Sequence, residues 1–480
     1  MAVTWELRAA FARRLSAMYG VEVPAYTTLV EVVREINAEV VARGGDTGRL
    51  GGIERVTAER HGAIRVGTPR ELRQAAQVFA ALGMRPVGFY DLREAAVSAV
   101  PVVSTAFRPV DADELERNPF RVFTSLLTTA DRRFFGADLE RRLEAFLARR
   151  VLFPPELLEL ARRAERDGGL EEGPAERFLS LAVAAFELSP EPVDRAWYAE
   201  LERVSSVAAD IGGVSRTHVN HLTPRVLDID ELYRRMTGRG VAMIDRIQGP
   251  PRWAGPPVLL RQTSFRALAE KRLFREADGR VGAGSLRVRF GEVEARGIAL
   301  TRAGRALYDE LIGEPAAVWE RRFPATERGL ARAGLGFFRY APGTARGTGT
   351  TRGTGTTGGT GAGAAGTAGR TADEREAGHG NGAGHHDPDA LLDDGRLIAR
   401  PLVYEDFLPL SAAGIFQSNL TGAGTRATGA GGTPYDRAWL SETLERPVHD
   451  PFALYEAEQR DSLCRARAAL GLPPDPKDSP

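Results

Sequence analysis

Cysteine is almost missing from this chain: Cys464 is the only one in 480 residues. That excludes a disulfide framework and suits a reducing compartment. Lysine is nearly absent too, standing only at 271 and 477 among 64 basic residues; we assign the arginine bias to genome composition rather than to function. Net charge is zero, 64 acidic residues against 64 basic, so neither nucleic acid nor a membrane surface is a default partner. No apolar run is long enough to span a bilayer. The opening M-A-V-T-W-E-L-R-A-A-F carries charge too early for a secretory signal. These absences point to a soluble cytoplasmic protein. Its length allows a large core and two or three structural units.

Histidine is also scarce, at seven. His379, His385 and His386 lie in a Gly/Thr/Ala-rich tract, which leaves His61, His218, His221 and His449 in sequence able to pack. Two of these stand at the head of an internal repeat. H-G-A-I-R-V-G-T-P-R-E-L-R-Q begins at His61, and H-L-T-P-R-V-L-D-I-D-E-L-Y-R begins at His221. Superposing the histidines puts Arg65 over Arg225, Glu71 over Glu231 and Leu72 over Leu232. Each copy continues through a helical stretch into a Gly turn and an apolar strand, Gly83–Asp91 and Gly238–Asp245. The period is too long for a solenoid, so the repeat reads as two related modules facing each other.

In chain order, 1–50 reads as N-terminal helices, with Trp5, Leu7, Phe11, Leu15 and Met18 near helical spacing. Residues 51–110 form the first module. Its strand puts His61, Ala63 and Arg65 on one face, and Thr68-Pro69 starts a helix that Gly83 ends. Residues 111–213 read as a helical insert and 214–340 as the second module. There S-L-R-V-R-F-G-E-V-E-A-R alternates as one strand, with Leu286, Val288, Phe290, Glu292 and Glu294 on a shared face. Residues 341–390 and Gly422–Gly432 are too poor in apolar residues to fold and read as flexible inserts. The stretch 391–480 reads as a C-terminal segment docking on the active site.

Two imidazoles and a carboxylate, with open positions beside them, form the ligand set of Fe(II) oxygen chemistry. His61 and His221 occupy equivalent module positions, so a pseudo-two-fold brings them together. The carboxylate must come from another strand, with Glu292 and Glu294 as candidates, since acids among apolar neighbours are costly unless paired or ligating. His218 alternates to the opposite face from His221, and His449 sits in a Pro-bounded turn, so neither is used.

Four stretches then carry a resemblance. E-R-H-G-A-I-R-V-G-T, N-H-L-T-P-R-V-L-D-I-D, F-G-E-V-E-A-R-G-I-A-L-T-R-A-G-R-A-L-Y-D and R-P-L-V-Y-E-D-F-L-P-L-S-A-A-G-I-F-Q-S-N-L resemble the 2-oxoadipate dioxygenase/decarboxylase family over most of the chain outside the inserts. The repeated unit resembles the vicinal oxygen chelate superfamily, which includes hydroxymandelate synthase and 4-hydroxyphenylpyruvate dioxygenase. The resemblance implies an α+β fold of two βαβββ modules around a central metal site, with a helical insert and N-terminal helices. It implies that His61 and His221 ligate a non-haem Fe(2+). It carries the third ligand onto Glu292, four residues before Arg296, with Glu294 in reserve. The family's substrate arginine maps onto Arg65 and its selectivity residue onto Val403. The implied reaction converts 2-oxoadipate and O2 to 2-hydroxyglutarate and CO2 in lysine catabolism. The implied partners are a small 2-oxo dicarboxylic acid and O2, with neither nucleic acid nor membrane. Two rival functions keep the same architecture: a metal-dependent isomerase or lyase, which would consume no oxygen, and a small-molecule binding protein, which would need no metal.

Overall fold

The computed structural model describes residues 1–44, 53–94, 100–287, 289–343, 387–408 and 432–473. The readings of 341–390 and Gly422–Gly432 as flexible inserts therefore fall almost wholly outside the described residues. The chain divides into two units: Met1–Phe337 with Pro401–Glu458, and Phe338–Arg400 with Gln459–Pro480. The stretch 391–480 contributes to both units.

The first unit opens with helices α1 (Thr4–Glu22) and α2 (Pro24–Ala42). Leu7, Phe11, Leu15 and Tyr19 repeat every four residues along α1, and all are buried. Pro24, which has no N–H to lose, starts the second helix immediately after the first ends.

The first module follows as β1 (Arg60–Val66), α3 (Pro69–Ala81), β2 (Arg85–Asp91), β3 (Val102–Arg108) and β4 (Arg121–Leu127). Thr68 caps α3 by accepting from the Glu71 amide at 3.2 Å. Gly83 leaves the helix at φ +70°, a conformation that costs other residues a Cβ clash. Strand β4 corrects the reading of 111–213 as helical throughout. R-V-F-T-S-L-L is buried at all seven positions, and a short, fully buried run carries no alternation to mark it as a strand. A short helix, Ala112–Arg117, precedes β4, and the helices that follow it are α4 (Ala137–Leu147), α5 (Pro155–Asp167), α6 (Glu172–Ala184), α7 (Arg195–Val204) and α8 (Ser206–Gly212). They add Leu143, Leu157, Phe178 and Leu201 to a core shared with α1, α3 and the sheet.

The second module begins with β5 (His221–Pro224) and α9 (Ile229–Gly238). Here Asp228 takes the place of Thr68, accepting from the Glu231 amide at 3.0 Å. Leu72 and Leu232 are both buried, so the in-register repeat is one local design: cap, acid in the first turn, then a core leucine. Beyond α9 the second copy is looser. The Gly238–Asp245 stretch forms no named strand, making only a bridge from Met243 to Phe265. The long alternating strand is also corrected. It is two strands, β8 (Val281–Leu286), paired with β7 (Glu270–Arg275), and β9 (Glu292–Arg296), paired with β6 (Leu260–Ser264). Gly291 lies at the break. A Cβ there would sit 2.1 Å from the Phe265 ring, so the chain enters β9 where no side chain fits.

One five-stranded sheet, in the order β2-β3-β4-β1-β5, joins the two modules. β1 runs parallel to β4 and antiparallel to β5. β9 continues beside β5 through a parallel bridge between Arg225 and Glu294. The second unit is small. Strand Phe338–Pro342 pairs with Leu397–Pro401, helix Pro388–Asp393 lies between them in the chain, and Leu391, Leu397 and Ala466 form its buried cluster. No described helix is long and apolar enough to cross a membrane.

Candidate metal centre

Strand register assembles the site. In the β1–β5 ladder Ala63 lies opposite His221. Opposed residues of an antiparallel pair share a face, and so do alternate residues of one strand. His221 therefore projects beside Ala63, flanked by His61 on one side and Arg65 on the other. The small alanine leaves room for the imidazoles, whose ring centroids are 5.5 Å apart at 84°. β9 supplies the carboxylate: Glu292 Oε1 lies 3.2 Å from His61 Nε2. One donor atom from each of His61, His221 and Glu292 lies within 4.8 Å of the others, and all three residues are buried. Tyr19 ties the neighbouring backbone together, its hydroxyl donating to the carbonyls of Asn220 and Phe290.

The second glutamate meets the same imidazole from its other side, with Glu294 Oε2 3.1 Å from His61 Nδ1. The two acids differ in what else holds them. Arg296 grips Glu294 through two nitrogens at 2.6 and 2.9 Å, with Arg121 at 3.5 Å. Among the described residues Glu292 makes no ion pair with an arginine, so its oxygens remain for a cation.

Electrostatics follow the same division. Burial acts against ionisation of Glu294, but Arg296, His61 and Arg121 outweigh it and hold its pKa at about 2. Burial raises Glu292, partly countered by His61. His221 is held far below the usual histidine range by burial, with His61 and Arg65 adding to the effect; it is neutral, as a metal ligand must be. His61 is the opposite case. Burial opposes its charge, yet the two glutamates prevail and raise it. A divalent cation held by the three donor atoms would replace that proton between His61 and Glu292. His221 Nδ1 is buried and has no hydrogen-bond partner among the described residues. Two imidazoles, one uncommitted carboxylate and an unmatched buried nitrogen fit a borderline divalent metal such as Fe(II).

Arg65 is buried on the histidine face, where it pairs with Asp210 of α8. Asp210 also accepts from Asn220 at 2.8 Å and lies 3.3 Å from His218. The opposing burial cost is outweighed by His218 and Arg65, so Asp210 stays ionised far below the usual range. Arg225, the counterpart of Arg65 in the repeat, instead holds Glu59 at 2.8 Å. Val403 is buried and bridges Ile298. The residue of its segment that reaches the histidines is Phe407, whose ring stands 5.0 Å from that of His61.

Beneath the site lies a cluster of buried charge that sequence reasoning missed. Arg121 joins Glu59, Glu294 and Glu405; Arg225 and Arg296 share Glu59; Arg55 closes on Glu405. Apart from Glu294 and Arg296, the paired residues lie far from one another in the sequence. Only E-V-E-A-R hints at the cluster, because alternation puts Glu292, Glu294 and Arg296 on one face of a buried strand.

The model of the 2-oxoadipate dioxygenase/decarboxylase family matches residues 11–419. The chain belongs to that family. A 2-oxoadipate dioxygenase/decarboxylase of Mycobacterium bovis is 54% identical over 456 residues, covering 95% of this chain and 96% of its own. One of Pseudomonas putida is 39% identical, covering 97% of each chain. The crystal structure of the Pseudomonas putida hydroxyglutarate synthase in complex with 2-oxoadipate superposes with a TM-score of 0.76 at 36% identity, covering 98% of this chain and all of that one. The fold is thus that of this hydroxyglutarate synthase across nearly the whole chain.

Proposed function

We propose that this chain is an Fe(II)-dependent enzyme that converts 2-oxoadipate and O2 to 2-hydroxyglutarate and CO2, with His61, His221 and Glu292 holding the metal. One observation carries the reading: in a chain of this family, two imidazoles and a carboxylate from three strands converge within 4.8 Å. The complex of the Pseudomonas putida relative with 2-oxoadipate supports the substrate. Bound Fe(II) would supply Lewis acidity for the 2-oxo acid and the electrons that open O2 to reaction.

The chain's own residues do the rest. Arg65 offers a planar fork of donors for the substrate's far carboxylate, and its pair with Asp210 fixes the plane of that fork. Alternation places Arg65 two side-chain steps from His61, about 13 Å along the strand, and one step beyond the rung that pairs Ala63 with His221, so a short acid chelated at one end can extend toward it. Phe407, Phe123 and Phe290 surround the histidines with apolar rings, keeping water from the oxidising centre. We assign substrate selectivity to Val403, which belongs to the segment that carries Phe407. Lysine catabolism is the pathway and the cytoplasm the compartment we assign, the latter supported by the single cysteine.

Anaerobic loading with Fe(II), followed by oxygen-uptake measurement over a series of 2-oxo acids, tests the proposal. Equal molar consumption of 2-oxoadipate and O2, with matching 2-hydroxyglutarate and CO2, is expected. Turnover without oxygen uptake would make the protein an isomerase or lyase, and tight substrate binding without turnover would make it a binding protein.

A further inference from the structure

We infer that Glu294 is a positioning residue for His61: it accepts the Nδ1 proton of that imidazole and so leaves Nε2 to face the metal. The inference rests on the metal reading above and goes beyond it, assigning the tautomer of one ligand and the group that sets it.

Glu292 and Glu294 are alternate residues of β9, so their side chains leave one face about 7 Å apart. The His61 ring spans that gap, Nε2 lying 3.2 Å from Glu292 and Nδ1 3.1 Å from Glu294. A neutral imidazole has one N–H and one lone pair, so the nitrogen that donates fixes the one left to ligate. Glu294 is the oxygen-bearing group that cannot leave. It is fully buried, gripped at both oxygens by Arg296 and touched by Arg121. Two arginines thus hold it beside the ring, and Arg121 remains there if Arg296 is lost. Glu294 Oε2 is close to Nδ1, but the contact does not form a hydrogen bond here, and Nδ1 is buried with no hydrogen-bond partner among the described residues. Contacts of this kind are often poorly aligned before the ligand is in place, and a buried imidazole nitrogen left unmatched would be costly. The arrangement is the carboxylate–histidine–metal relay that orients ligands elsewhere, built here from two acids of one strand.

Two measurements test it. In full-length protein labelled with [15N]histidine and loaded with Zn(II), long-range 1H–15N spectra should place the His61 proton on Nδ1. A proton on Nε2 overturns the inference whatever any variant does. Separately, Co(II) is titrated into metal-free protein and followed by visible absorption. Glu294→Gln should weaken Co(II) binding about 10- to 100-fold. Arg296→Gln breaks the same ion pair but leaves the acceptor, so it should lower the melting temperature comparably while keeping Co(II) affinity within a few-fold. Equal loss of affinity in the two variants would reduce Glu294 to a counter-charge and refute the positioning role. Failure of the metal reading looks different: wild type that takes up no Co(II), or His221→Ala that takes up as much as wild type.

Discussion

Replacing Arg65 by alanine separates recognition from bracing. The Arg65 and Asp210 side chains are 3% and 2% exposed, so the variant leaves a buried carboxylate without its arginine. Breaking a buried pair from one side costs about 3–5 kcal/mol of stability. His218 and Asn220 still hold Asp210, which puts the expected loss near the lower figure. If Arg65 also grips the far carboxylate of 2-oxoadipate, kcat/KM on that substrate should fall by a further ~2–5 kcal/mol. That is roughly 30- to 4,000-fold at ~1.4 kcal/mol per decade. On 2-oxohexanoate, which has no far carboxylate, the loss should be much smaller. The assay is steady-state oxygen uptake on both acids, with iron content shown to be full in each preparation. Asp210→Asn is the control: it should cost stability but keep the preference for the dicarboxylic acid. Equal losses on the two substrates in Arg65→Ala would refute recognition and leave Arg65 as the counter-ion of Asp210.

Alanine at His61, His221 or Glu292 should take bound iron from one equivalent toward none and abolish turnover. Chelation of wild type should leave its circular dichroism unchanged, because backbone pairing rather than metal joins β1 to β5. Full iron occupancy in His221→Ala would break the ligand assignment. Acid should weaken the fold through the buried cluster. Glu294 titrates at about 2 when folded against an ordinary 4.5, and Glu59 is likewise lowered, its burial cost outweighed by Arg225 and Arg121. A lowered folded pKa means that the ionised form favours the fold. That contribution is present above about 4.5 and is lost as pH falls toward 2. The urea midpoint should drop through this window, and a flat profile would mean the cluster adds nothing. Phe407→Ala should cost about 3 kcal/mol, the lower end for a large core truncation, since Phe407 lies at the core's edge. It should also uncouple oxygen consumption from product by admitting water. Tight coupling in that variant would remove Phe407 from the water barrier.

The sequence made some of this legible and hid the rest for physical reasons. The repeat was readable because local chemistry recurs: histidine, a cap seven residues on, an acid in the first turn and a core leucine. Strand alternation likewise put Arg65 with His61, and Glu292 with Glu294. Strand β4 was obscure because burial on both faces erases the period that marks a strand. The break at Gly291 was obscure because alternation in the letters survives a change of pairing partner. Asp210 and the cluster of Glu59, Arg121, Arg225 and Glu405 were beyond reach, since their partners lie far apart in sequence and only tertiary contact makes them more than surface charges. Glu292 is favoured as the proposed ligand by the arginines that hold Glu294 and leave it, and those contacts are tertiary.

The pairing of Ala63 with His221 has a consequence for how this protein can vary. Side chains alternate across a strand, so sliding β5 by one residue against β1 would carry His221 to the opposite face of the sheet. A single inserted or deleted residue within either short strand is therefore worse for the metal centre than many substitutions around it. Helices α4 to α8 lie between β4 and β5 in the chain without entering the ladder. Loops there can lengthen, shorten or be cut and rejoined while the histidines stay in step. Length variation among relatives should gather in the connections and spare the few residues on either side of that rung.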